Sequence, residues 1–95
     1  MAGQIILIIM WWYVYILRSK KNDRIYIGST NNLKRRIREH NQGLNKSTKP
    51  FIPWVIEASI AVKEERKARE LEEYFKTGSG SSILRKRILS NKADD

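Results

Sequence analysis

The sequence predicts an α+β domain: a three-stranded antiparallel sheet flanked by helices, in the order β-β-α-β-α-α. Three observations predict it. Two β-branched and aromatic runs, residues 13–18 and 24–27, are joined by the polar turn Lys20-Lys-Asn-Asp23, which is a hairpin pattern. A third run starts at Trp54, after a segment bracketed by Pro50 and Pro53. The stretches after the second and third runs carry apolar residues at helical spacing.

The first strand is read over residues 13–18 and the second over 24–27, with Gly28 ending it because a backbone without Cβ turns sharply. Thr30 or Asn31 is a suitable N-cap for a helix over residues 32–42. Leu33 and Ile37, at i and i+4, make its buried stripe, and Gly43 stops it. Residues 44–49 read as a polar, basic loop and residues 54–59 as the third strand. A charged helix over 62–76 turns Ala68, Leu71 and Phe75 to the core, with Glu72 at the border of buried and exposed surface. Residues 77–81 read as a tight Gly-Ser turn. A last short helix over 82–89 carries Ile83, Leu84 and Ile88 inward and Arg85, Lys86 and Arg87 outward.

A chain of 95 residues makes one domain, read over residues 10–90, with an apolar extension at 1–9 and a tail at 91–95. A domain this small buries only about 60–65% of its unfolded surface. There is no cysteine, which excludes a disulfide framework, a thiolate zinc site and thiol catalysis. The single histidine, His40, excludes any site built on two His ligands. The uncharged stretch at residues 5–17 is shorter than the ~20 residues a membrane helix needs, so no membrane span is expected. No basic segment precedes it, and a cytoplasmic location is expected. Its apolar start offers a sheet-edge or dimer contact. The net charge of +9 attracts polyanions, nucleic acid first among them.

Arg36 and His40 stand four residues apart on the first helix and are neighbours on one face. Tyr15 and Tyr26 lie on adjacent strands. These residues carry a resemblance. Tyr13-Val14-Tyr15, Tyr26-Ile27-Gly28, Leu33-Lys-Arg-Arg36-Ile-Arg-Glu-His40, and the ending from Ala68 to Glu72 and then Tyr74 to Gly80 follow in order at matching spacing. In this the chain resembles the GIY-YIG nuclease superfamily, in its small single-domain branch, similar to the excinuclease C amino-terminal nuclease domain. One departure is visible: Tyr13 stands where the first motif has glycine.

The resemblance implies a metal-dependent DNA endonuclease that hydrolyses phosphodiester bonds, with a setting in DNA repair or recombination. It implies Mg²⁺, with Mn²⁺ as a substitute, held by Glu72, since one carboxylate with waters and substrate phosphate suits this ion. Glu73 points about 100° away on a helix and is the lesser candidate. Arg36 would hold a phosphate oxygen through its planar fork. His40, Tyr15 and Tyr26 would handle protons and position water. A phenol with a pKa near 10 needs positive charge beside it to act as a base, which Arg36, the metal and His40 would supply. Which tyrosine is the base stays open, with the family analogy favouring Tyr15 paired with His40. Gly28 would give the backbone room beside the substrate. Lys46, Lys49, Arg85, Lys86 and Arg87 are expected on the DNA backbone, giving affinity without sequence preference. Without a further DNA-binding domain, recognition of DNA structure or of single strands is expected. A non-catalytic nucleic-acid-binding module on the same fold is the main alternative, and an interaction protein using the apolar start is another. Trp11, Trp12 and Trp54 are read as core or partner surface rather than base-stacking platforms.

Overall fold

The computed structural model describes residues 10–90. The readings of residues 1–9 as an extension or dimer contact, and of 91–95 as a tail, lie outside them. The element order is β1 (Trp12–Ser19), β2 (Ile25–Thr30), α1 (Leu33–Asn41), β3 (Trp54–Val62), α2 (Glu65–Phe75) and α3 (Gly78–Ile83). A short 3-10 turn, Lys49–Phe51, precedes β3, and a wider π-type turn, Leu84–Ile88, continues α3. The three strands form one antiparallel sheet, as expected from the sequence, and lie in the order β2-β1-β3.

The central strand is buried on both faces, and its alternation builds two cores. Val14 and Ile16 point to one side, where they pack with Ala68 and Phe75 of α2 and with Leu84. Tyr15 and Leu17 point to the other side, where they join Trp54, with Leu33 and Ile37 of α1 against them. A bulge between Ile16 and Leu17 shifts the β3 register, so Ile16 faces Ala58 while Leu17 faces Ile56.

Several boundaries differ from the sequence reading. Gly28 does not end β2, which runs on to Thr30, because Gly28 pairs with Tyr15 inside the ladder. The N-cap of α1 is Asn32, whose side chain accepts from Arg35 N–H at 3.0 Å. Thr30 acts one step earlier, its hydroxyl accepting the Asn32 N–H at 3.1 Å. Strand β3 extends to Val62, paired with Trp12, so α2 starts at Glu65 rather than at residue 62.

The Gly-Ser segment is not a turn but the start of α3. Thr77 caps it, accepting the Gly80 N–H at 3.1 Å. A Cβ at Gly80 would overlap the carbonyl of Tyr74, so only glycine lets α3 close against the end of α2. Of the three residues expected inward at the chain's end, Leu84 is buried while Ile83 and Ile88 are exposed. Ile88, at the end of the π-type turn, thereby loses the i, i+4 alignment with Leu84 that a regular helix would give. Trp54 is core, Trp12 packs at the core margin and Trp11 is exposed.

Candidate active site

Tyr15 and Tyr26 come from adjacent strands but are not direct cross-strand partners. Tyr15 pairs with Gly28 and Leu17 pairs with Tyr26, so the two rings meet diagonally with centroids 6.1 Å apart. Gly28 has an intramolecular reason to be glycine. A Cβ there would lie 2.5 Å from the Tyr15 Oη and 2.6 Å from its Cζ. The room that glycine leaves is filled by the Tyr15 phenol. Gly28→Ala is therefore expected to cost about 1–3 kcal/mol of stability through overpacking. It should also pull Tyr15 from its partners; urea unfolding beside a cleavage assay checks both effects.

Helix α1 delivers Arg36 and His40 to that phenol. His40 is fully buried, and its Nε2 lies 2.9 Å from Tyr15 Oη. Arg36 Nε donates to the same oxygen at 3.3 Å, and its Nη1 donates to Glu39 Oε1 at 3.0 Å. The Tyr26 ring stands edge-on to His40, centroids 4.8 Å apart. The i, i+4 pair expected from sequence thus converges on one tyrosine oxygen.

On its far side His40 meets a residue the sequence reading passed over. Thr48, in the basic loop, is 2% exposed and brings Oγ1 to 2.8 Å from His40 Nδ1. Its carbonyl accepts the indole N–H of Trp54 at 2.9 Å. The end of α1 is tied to the start of β3 by Asn41, whose amide bonds Trp54 O at 3.0 Å and Trp54 N at 2.7 Å. No periodicity marks Thr48, because its place is set by the loop closing against Trp54.

Glu72 reaches the site from α2, on the other side of the sheet. Its Oε1 accepts from Ser29 Oγ at 2.7 Å, and Lys76 Nζ lies 2.8 Å from its Oε2. Ser29 pairs with Val14 and so belongs to the α2 side, one residue from Gly28. Glu72 is close enough to Tyr15 for its charge to raise the phenol pKa. Among the described residues no three His, Asp or Glu side chains gather as a metal cage. The donor chemistry here is one partly exposed carboxylate, held by a serine hydroxyl, which fits Mg²⁺ completed by water and substrate phosphate. Glu73, by contrast, is exposed.

Burial dominates the electrostatics of the site. It pushes Tyr15 up to about 12 against the lowering effect of Arg36, so the expectation that nearby positive charge depresses this phenol does not hold in the free protein. Burial also brings His40 down to about 4, helped by the Arg36 charge, and His40 is neutral at pH 7. Burial opposes the charge of Arg36, but the hydrogen bonds to Tyr15 and Glu39 outweigh it and raise the guanidinium further.

The expected phosphate contacts divide. Lys46 and Lys49 are exposed on the loop that carries Thr48. Arg85, Lys86 and Arg87 are exposed on the π-type turn, whose Leu84 packs in the core of the α2 side.

A model of the GIY-YIG catalytic domain matches residues 11–87. The chain belongs to the GIY-YIG family. A UPF0213 protein of Clostridium perfringens is 38% identical over 82 residues, covering 85% of each chain. UPF0213 proteins of Vibrio campbellii and Bacillus licheniformis are 35% and 34% identical. The chain spans 62% and 66% of their respective lengths. The solution structure of a UPF0213 protein from Bacillus halodurans is 31% identical, with a TM-score of 0.49 over 79% of this chain and 82% of that one. Among the described residues no helix is long and apolar enough to cross a membrane.

Proposed function

We propose that this GIY-YIG domain is a Mg²⁺-dependent DNA endonuclease acting on structured or single-stranded DNA with low sequence specificity. The observation that carries the reading is the convergence of Arg36 and His40 on the Tyr15 oxygen, at 3.3 and 2.9 Å. Phosphodiester hydrolysis needs a path for the proton of the attacking water and a cation for the phosphoryl oxygens, and this cluster offers both.

Arg36 binds a non-bridging oxygen through the part of its fork not engaged by Tyr15 and Glu39. The attacking water gives a proton to the Tyr15 oxygen while the phenol passes its own proton to His40 Nε2. The hydroxide forms the new P–O bond, the bond to the leaving sugar oxygen breaks, and that oxygen takes a proton from solvent. His40 returns its proton to water after release. Tyr15 is thus a relay and His40 the proton acceptor. Phosphate binding offsets the Arg36 charge that helps hold His40 at about 4, which makes the imidazole a better base when DNA is bound. Tyr26 positions water or phosphate from the next strand. Glu72 is the residue that would hold Mg²⁺, or Mn²⁺ in its place. The ion would supply positive charge to the phosphoryl and leaving oxygens.

The basic residues Lys46, Lys49, Arg85, Lys86 and Arg87 support backbone binding that weakens with salt. The setting that goes with this reading is DNA repair or recombination in the cytoplasm.

The test is cleavage of end-labelled single-stranded, duplex and branched DNA with Mg²⁺, with Mn²⁺ and with chelator. Metal-dependent nicking that disappears in Tyr15→Phe and in chelator is the expected result. Salt-sensitive binding without nicking on any of the three substrates would replace the nuclease with a non-catalytic binding module.

A further inference from the structure

We infer that Thr48 is a positioning residue that holds the His40 imidazole in the form protonated at Nδ1, leaving Nε2 open to the Tyr15 proton. The catalytic consequence rests on the nuclease reading above; the protonation pattern itself does not.

A donor at one end of a five-residue chain and an acceptor at the other set the direction of every bond in it. Arg36 Nε can only donate, so the Tyr15 oxygen accepts that bond. The phenol is 1% exposed, and its own proton needs an acceptor, which is His40 Nε2 at 2.9 Å. Neutral imidazole carries one proton, so Nδ1 then bears it and donates to Thr48 Oγ1 at 2.8 Å. The Thr48 hydroxyl is free to be that acceptor because its own hydrogen points to the Asn45 carbonyl, 3.4 Å away.

The opposite form fails at both ends. With the proton on Nε2, both Arg36 and His40 would donate to the Tyr15 oxygen, and the phenol hydrogen would lose its acceptor in a buried site. Thr48 would have to turn its hydrogen from Asn45 to Nδ1. The direction Arg36 to Tyr15 to His40 to Thr48 to Asn45 is the one in which each donor named here has an acceptor.

The fold keeps Thr48 in place by its backbone. Its N–H lies 3.3 Å from Asn45 Oδ1 and 3.2 Å from Asn45 O, and its carbonyl takes the Trp54 indole N–H. None of these needs the Thr48 side chain, so the hydroxyl can be removed with the loop anchors retained. A threonine here does for His40 what a carboxylate or carbonyl does for many working histidines, which is to choose the nitrogen that reacts.

The chain has one histidine, so every imidazole nitrogen signal belongs to His40. The experiment is a long-range proton–nitrogen correlation spectrum of the full, ¹⁵N-labelled protein at pH 7, for wild type, Thr48→Val and Thr48→Ser. Wild type is expected to show Nδ1 protonated and Nε2 bare. Thr48→Val, equal in shape but without an acceptor, is expected to lose that pattern, and Thr48→Ser to restore it. A wild-type spectrum with Nε2 protonated, or a Thr48→Val spectrum unchanged from wild type, overturns the inference. If Thr48→Val does not fold, wild type and Thr48→Ser still decide, since both must show Nδ1 protonated.

On DNA, Thr48→Val should lower kcat on the order of 10- to 100-fold with KM nearly unchanged, and Thr48→Ser should recover most of it. A wild type that cleaves no DNA but gives the expected spectra supports the Thr48 assignment and rejects the nuclease reading, so the two failures are separable.

Discussion

Replacing Glu72 by glutamine is expected to lower Mg²⁺-dependent cleavage on the order of 10³-fold, the scale of losing a metal's charge at a phosphoryl group. The change keeps size and an oxygen for the Ser29 hydroxyl, which donates to Glu72 Oε1 at 2.7 Å. It removes the negative charge and with it the Lys76 pair, which lies at the surface with side chains 53% and 22% exposed. Such a pair contributes about 0–1 kcal/mol, so the variant should fold and bind DNA as wild type does. Glu73→Gln is the control; this exposed neighbour should change cleavage less than about twofold. Single-turnover cleavage across a Mg²⁺ titration measures both. Glu72→Gln activity within tenfold of wild type would take the metal away from this residue.

The second large effect is on stability, and acid produces it. His40 titrates near 6.5 when unfolded but at about 4 in the folded chain, where burial first and the Arg36 charge second disfavour its cation. Between those values the unfolded chain binds more protons than the folded one. The stabilisation is therefore complete above pH 6.5 and is lost as the pH falls towards 4. The whole difference is about 3 kcal/mol, and most of it should be gone by pH 4.5. Urea unfolding at pH 7 and pH 4.5 measures it, with His40→Gln reporting what the carboxylates contribute. A wild-type loss no larger than that of His40→Gln would mean that this histidine is not held neutral by the fold.

How much of this was legible in the sequence depended on the distance over which each feature is encoded. The hairpin, the order of strands and helices along the chain and the Arg36–His40 pair follow from spacing within a few residues, and they appear as read. The family motifs single out Tyr15, Tyr26 and Glu72. Thr48 and Ser29 were not legible, because each acts through a partner that only the folded sheet or loop brings near. The Gly-Ser run departs from the turn its sequence suggests for a related reason. Glycine usually marks a turn, but Gly80 is glycine because the Tyr74 carbonyl leaves no room for a Cβ. The phenol pKa went the other way from the expectation because charge can be counted from sequence, whereas burial cannot.

The alternation of β1 has a consequence for partly made chains. Val14 and Ile16 anchor one core while Tyr15, between them, faces the other, where His40 closes on it. A slip of one residue would exchange Tyr15 for an aliphatic side chain and turn both faces inside out. The cluster also draws on β2, α1 and the Thr48 loop, with Glu72 coming from beyond the sheet. A nascent or clipped chain that lacks any of these elements lacks the assembled cluster as well. The cluster is thus missing during synthesis and after damage alike, and only the finished domain presents it.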